Sequence, residues 1–338
     1  MISRQIIIKS LEFKGPVRIP MSLPSPYPND FVGAGLDANP HISDKWVHNK
    51  EGNRWEKVDE WGNTWARLEE YSKGEVVKGA IQNWGKLKDY KLPPLDSPER
   101  YKETKKIFSQ HPDKFHIAHL PGFPFSVARK MRRMDSFLLD VIAEKENVAR
   151  LLKDISNLLE VVICKFSGIG ADAIMFAEDW GTQDSLLISP DLWRELFKPG
   201  FIQLCSVAHR KGLYVFMHSC GDIYEIIPDL IEVGVDMLQF DQPALHGVDR
   251  LARDFGGRVN FWCPVDIQKI LPARDKSLIE NFARDLIEKL GSFNGGFIAG
   301  YYESNEALDL EPYWQDVACK AFVKHSKAFR SDMADPYK

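Results

Sequence analysis

From about residue 114 the chain alternates short β-branched or aromatic runs with long amphipathic segments, the signature of repeated βα units. The runs at 115–120, 173–178, 213–218, 235–240, 259–263 and 296–300 predict strands. Between and after them, helices are predicted near 145–167, 190–211, 222–232, 275–290 and 312–328. The helix near 190 has Ser189 as N-cap, Pro190 at its first position, and Leu192, Trp193, Leu196 and Phe197 as its buried stripe. Lys198-Pro199-Gly200 must kink or break it, because proline has no N–H to donate. Gly212 and Gly234 stop the helices that precede the strands at 213 and 235.

Residues 1 to about 110 read differently. Prolines 24, 26 and 28 and the turns Glu51-Gly52-Asn53 and Glu60-Trp61-Gly62-Asn63 punctuate short segments such as 45–48 and 63–67, which read as hairpin strands. Pro93-Pro94 and Ser97-Pro98 close this part. The organisation expected is therefore an N-terminal extension or lid, 1–110, packed on an α/β core, 111–338. Six βα units with no glycine-rich dinucleotide loop after any strand favour a (β/α)₈ barrel of the TIM type over a doubly wound sheet.

Composition narrows the function classes. The 338 residues are 44% hydrophobic and 27% charged, an ordinary globular balance, and a net charge of −4 offers no field for nucleic acid or an anionic membrane. The apolar run near the N-terminus is too short for a signal-peptide core, and no stretch approaches the ~18 apolar residues of a membrane span. Five cysteines, an odd number at irregular spacing, suit a reducing cytoplasm in which thiols stay free. A homodimer is compatible with such a chain.

In a parallel barrel the chemistry gathers where the strands end. Those ends carry Glu178-Asp179 with Trp180, His218 with Cys220, Asp241-Gln242, Cys263 with Asp266, and Tyr301-Tyr302-Glu303. A histidine and a cysteine two apart at a strand end can turn toward one ion, and zinc prefers nitrogen and sulfur donors. Asp179, Asp241 and Asp266 are candidates for general acid or base, or for holding a ligating histidine; Asp266 could instead cap the next helix. The run Arg129-Lys130-Met131-Arg132-Arg133 could receive a carboxylate or an acidic partner, or form a solvated helix face. Trp46, Trp55, Trp61, Trp65 and Trp84 crowd the extension, as a stacking lid or as its core. Cys164, Cys205 and Cys319 lie within helices and read as core.

His218-Ser219-Cys220-Gly221, Glu178-Asp179-Trp180-Gly181 followed by Ile188-Ser189-Pro190, Ile226 to Leu230 followed by Gly234-Val235-Asp236, and Phe261 to Asp266 resemble the uroporphyrinogen decarboxylase superfamily. Asp59-Glu60-Trp61-Gly62 and Gly295-Gly296-Phe297-Ile298 extend the resemblance over about residues 55–328. Within it, the pattern resembles the zinc- and corrinoid-dependent methyltransferases more than the decarboxylases. The latter carry an N-terminal arginine-rich motif that grips substrate carboxylates, whereas Arg4, Arg18 and Arg54 stand singly here.

The resemblance implies that His218 and Cys220 are zinc ligands with a third supplied by Cys263, Glu303 or Glu178. Cys263 could equally be a buried wall residue. It further implies a methyl group moving from an O-methyl donor, such as a methoxylated aromatic, to a corrinoid (cobalamin) carried by a partner protein. Trp61, Trp65, Trp180, Gln242 and Tyr302 are the expected donor-binding residues. The alternatives are a metal-free decarboxylase of porphyrin metabolism and a non-catalytic barrel relative.

Overall fold

The computed structural model describes residues 1–43, 45–49, 52–70 and 72–332; Glu51, part of one expected turn, lies outside the described residues. The strands are β1 (Phe31–Gly35), β2 (Val47–Asn49), β3 (Arg54–Val58), β4 (Thr64–Arg67), β5 (Glu75–Lys78), β6 (Phe115–His119), β7 (Ala173–Ala177), β8 (Tyr214–His218), β9 (Met237–Gln239), β10 (Asn260–Cys263) and β11 (Phe297–Ala299). Seven of them make one parallel sheet in the order β1-β6-β7-β8-β9-β10-β11. The other four form an antiparallel sheet, β2-β3-β4-β5.

The parallel sheet curls without closing as a ring of eight strands, which corrects the (β/α)₈ expectation to a seven-stranded, barrel-like half-shell. At the seam Met21 makes a single parallel bridge to Ala299 of β11, and its carbonyl accepts the N–H of Asp30 just before β1. The segment between carries Pro24, Pro26 and Pro28, whose missing N–H groups prevent a continuous ladder.

β1 lies inside the stretch read as an extension. Its sequence, Phe-Val-Gly-Ala-Gly, is weak strand material, and a Cβ at Gly33 would stand 2.5 Å from the His119 ring of the neighbouring strand. Glycine there lets β1 approach β6, and the same choice erases the strand signal.

The six predicted strands of the main part all appear, each trimmed by up to three residues. The long helix near 190 divides at Phe197 into Pro190–Leu196 and Lys198–Arg210, where the proline demanded it. Ser189 caps the first half, its hydroxyl accepting the Leu192 N–H at 3.3 Å. Trp193, Leu196 and Phe197 are buried in the larger core, where Trp193 and Phe197 both meet Trp180 edge-on, each contributing roughly 1.5–3 kcal/mol by leaving water. Inside the curl, Phe115, Phe216, Met237 and Ile298 meet Ile7 and Leu11 of the helix Ser3–Leu11, a layer separate from the larger core under the outer helices. The carboxyl ends of the strands are left to form the mouth.

Candidate active site

β7 and β8 are neighbours, with Ala177 opposite His218, so the residues that follow them emerge side by side. His218 ends β8, and Cys220 and Asp179 stand one loop turn beyond their strands. The Nε2 of His218 is 3.3 Å from the Cys220 thiol and 3.6 Å from Oδ1 of Asp179. The same Asp179 oxygen accepts the backbone N–H of Cys220 at 2.9 Å. The three ligand atoms lie within 4.8 Å of one another, a group that could hold a metal ion.

The opposite ring nitrogen of His218, Nδ1, meets the side-chain oxygen of Gln239 on β9, whose amide in turn donates to Asp241 at 2.7 Å. That chain fixes the imidazole's orientation and leaves Nε2 facing Cys220. Burial, and then the carboxylates of Asp179 and Asp241, push the Cys220 thiol up to about 12. A cation beside it would reverse that balance, because a nearby positive charge favours thiolate.

Two glycines let the loops come this close. Gly221 has φ +76°, and a Cβ on it would stand 2.2 Å from the backbone of Gly181; a Cβ on Gly181 would stand 2.4 Å from the nitrogen of Asp222. The loops are tied there by the Asp222 N–H donating to the Thr182 carbonyl at 2.7 Å. Glycine after each motif is therefore a condition for Asp179 and Cys220 to meet.

The other expected residues fall in different places. Glu178 is fully buried, accepting from the Ser126 N–H at 3.0 Å and the Trp180 indole at 3.1 Å, and burial pushes its carboxyl up to about 8. Trp180 is closed to solvent and stacked on Phe125 at 3.9 Å, behind the mouth rather than on it. Cys263 is also fully buried, in the wall between β10 and the Phe240 backbone. Asp266 is buried and accepts from the backbone N–H groups of Gln268, Lys269 and Ala244, the work of a cap. Tyr302 faces the mouth, its hydroxyl raised by burial and by Asp241 and Cys220. Gln242 reaches Gln183 at 3.4 Å, and the exposed Glu303 acts on His119 rather than on the His218 cluster.

Beside the cluster, at the carboxyl ends of β1 and β6, lies a cavity of about 460 Å³. The antiparallel sheet roofs it, and Trp61 and Trp65 both line it. Trp65 is fixed by its indole N–H donating to Asp59 at 2.7 Å, and Trp61 is largely buried. The basic run is not a solvated face: Met131 is buried, Arg132 binds Asp140 at 2.7 Å, Lys130 lines the cavity, and Arg129 approaches Asp179 at 3.9 Å. Only Arg133 is largely in water.

His119 and Gln239 escaped sequence reasoning. His119 is the last residue of β6, where the rule applied to the other strand ends would have found it, and its ring opens into the cavity. Gln239 ends β9, masked by the more conspicuous Asp241 behind it.

A curled parallel sheet with helices outside it and polar side chains gathered at its carboxyl end defines a barrel-like α/β half-shell with an enzyme-like mouth. Residues 70–299 match the family described as uroporphyrinogen decarboxylase (URO-D), about two thirds of the sequence, and the chain belongs to that family. Among solved structures it is similar to a methyltransferase from Methanosarcina mazei, at TM-score 0.58 and 18% identity over 78% of this chain and 73% of that one. A D-psicose 3-epimerase crystallised with D-fructose is similar at TM-score 0.44 and 9% identity, over 73% and 87%. No curated protein matches the chain. No helix among the described residues is long and apolar enough to cross a membrane.

Proposed function

We propose that this member of the family is a methyltransferase, moving a methyl group from a small O-methyl donor to a corrinoid held by a partner protein, with zinc bound by His218, Cys220 and Asp179. One observation supports the metal, the clustering of those three donors within 4.8 Å of one another, and the methyl transfer is taken from the likeness to the methyltransferase fold. Two atoms bonded to one tetrahedral zinc at about 2.0–2.3 Å stand roughly 3.3–3.6 Å apart, and His218 Nε2 lies 3.3 Å from sulfur and 3.6 Å from the carboxylate. The nitrogen, sulfur and oxygen set suits zinc and leaves a fourth position for substrate.

Zinc so placed would supply Lewis acidity at the donor's leaving atom. Gln239 holds the imidazole with Nε2 forward, Asp179 joins the two loops, and Trp65 presents a flat face to a ring in the adjoining cavity. Since neither these groups nor zinc can keep the methyl group, an acceptor must come from outside the described site.

A second reading, decarboxylation of a porphyrinogen without metal, is favoured by the description of the matched family, which supports it more directly than it supports methyl transfer. Against it stands the number of carboxylates to be paired: Arg100, which lines the cavity, is bound in bidentate fashion to Glu60 at 2.7 and 3.0 Å and so cannot also hold one of the several acetates of a porphyrinogen. The two readings separate in one experiment. The purified protein is mixed with a reduced corrinoid protein and a panel of methoxylated aromatics, methylamines and methylthiols while the cobalt spectrum is followed, and uroporphyrinogen turnover is assayed in parallel. Methylation of cobalt supports the first reading; porphyrinogen turnover without it supports the second.

A further inference from the structure

The wall of the cavity beside β1 and β6 carries three carboxylates, Asp37, Asp59 and Glu60, and three cations, Lys57, Arg100 and Lys130. The carboxylates are all engaged within the protein. Asp37 caps the helix Lys102–Gln110 through the N–H groups of Glu103 and Thr104. Asp59 accepts from the backbone of Trp61 and Asn63, from the Asn63 amide and from the Trp65 indole. Glu60 is held by Arg100, whose Nε also donates to the Asp37 carbonyl at 2.7 Å.

Lys130 differs from these neighbours. Among the described residues its ammonium has neither a hydrogen-bond acceptor nor a carboxylate at ion-pair distance, and its close contact is the face of Trp65, 5.6 Å from the ring centre. Lys130 is half-buried, and holding a cation partly out of water without a bonded counter-charge costs free energy. Burial, and then repulsion from Arg129, lower its pKa. Arg129 adds a second positive charge on the same helix, with its Nε buried and unpartnered and its terminal nitrogen still 3.9 Å from Asp179. Lys130 is therefore the cation without a bonded partner that faces a cavity whose own acids are engaged, with Arg129 and its ion pair to Asp179 behind it on the same helix. That is the field an incoming anion would complete.

We infer that Lys130 anchors an anionic group of the substrate, so that this site takes a flat, carboxylate-bearing small molecule whose ring lies against Trp65. The inference deepens the proposed function and rests on its reading of the site as one for a small-molecule donor. It names a substrate class and a residue that selects it. Lys130 touches substrate here as a binding group, while Trp65 lines the same cavity and offers aromatic surface beside the ammonium.

The test is binding to the whole protein, followed by tryptophan fluorescence or calorimetry, with 4-methoxybenzoate and its uncharged counterpart 4-methoxybenzamide as probes. The wild type is expected to bind the acid roughly 10- to 100-fold more tightly than the amide, as a hydrogen bond to a charged group provides. Lys130→Met, which keeps the stem, should erase the preference, and Lys130→Arg should retain most of it; Lys130→Gln serves alongside as a second neutral variant in case Met disturbs packing. Equal affinity for acid and amide, failure of the wild type to bind the acid, or a preference that survives loss of the charge would overturn the assignment. Binding is read without metal analysis or cobalt. A preference for the acid with no methylation of cobalt would therefore sink the methyltransferase reading alone, whereas methylation without the preference would sink this inference alone.

Discussion

Gly221 is a position where a side chain has no room, and Gly212 provides its control. Both have nearly the same backbone angle, φ +76° and +74°, but a Cβ on Gly221 would meet Gly181 backbone atoms at 2.2 Å while nothing lies within 4 Å of one on Gly212. Gly212→Ala should therefore show the conformational cost of a side chain in the left-handed region alone, about 1–2 kcal/mol. Gly221→Ala meets the same cost plus an overlap with backbone that cannot rotate away, and overpacking adds about 1–3 kcal/mol, for a total of roughly 2–5 kcal/mol. The overlap must part the loops after β7 and β8, which also separates Asp179 from Cys220. Urea unfolding of the two variants, with metal content measured on each, checks both consequences. Equal destabilisation, with metal binding intact in Gly221→Ala, would refute the idea that this glycine crossing assembles the site.

Two further outcomes follow from single contacts. The Nε2–H of His209 donates to the Asp236 carboxylate at 2.9 Å, and that bond raises its pKa against the opposing effect of burial; a raised folded-state pKa means stabilisation fully present below about 6.5 and lost as pH rises through the folded value. The difference in unfolding free energy between wild type and His209→Gln should thus be largest in mild acid and close toward alkaline pH, staying below about 1 kcal/mol for so exposed a pair; a gap that widens with pH would be the wrong sign. Asp266→Ala removes the acceptor for three backbone N–H groups, so thermal unfolding should show a loss of at least about 1–3 kcal/mol. Unchanged stability with abolished turnover would make Asp266 a catalytic group instead of a cap.

The parts of this molecule that could be read from sequence are those set by local chemistry. Ser189-Pro190 started a helix and Pro199 broke it because capping and the missing N–H act within a few residues. The strands of the main part were visible because both faces are buried, giving unbroken apolar runs. β1 was not, since its glycines answer to His119, a residue 86 positions away in Gly33's case. The open seam is a similar long-range outcome of Met21 meeting Ala299. At the site, His218 and Cys220 were found through their spacing, whereas the aspartate that joins them could be chosen only by the pairing of β7 with β8. Cys263 and Glu303 sat at equally suitable strand ends, and only the three-dimensional arrangement places one in a wall and the other beside His119. Lys130 looked like one charge in a surface run because charge runs usually are; it is half-covered because the antiparallel sheet lies across the same cavity.

The most direct test is the metal content of the purified protein, compared with Cys220→Ala and His218→Ala variants prepared in the same way and shown by circular dichroism to be folded. The expected result is one equivalent of zinc in the wild type, removed by a chelator and restored by zinc, and little in either variant, since a catalytic zinc site with three protein ligands does not survive loss of one. Zinc present in equal amount in all three proteins, or absent from a wild type reloaded with zinc, would contradict the metal site at Asp179, His218 and Cys220 and with it the proposed methyl transfer.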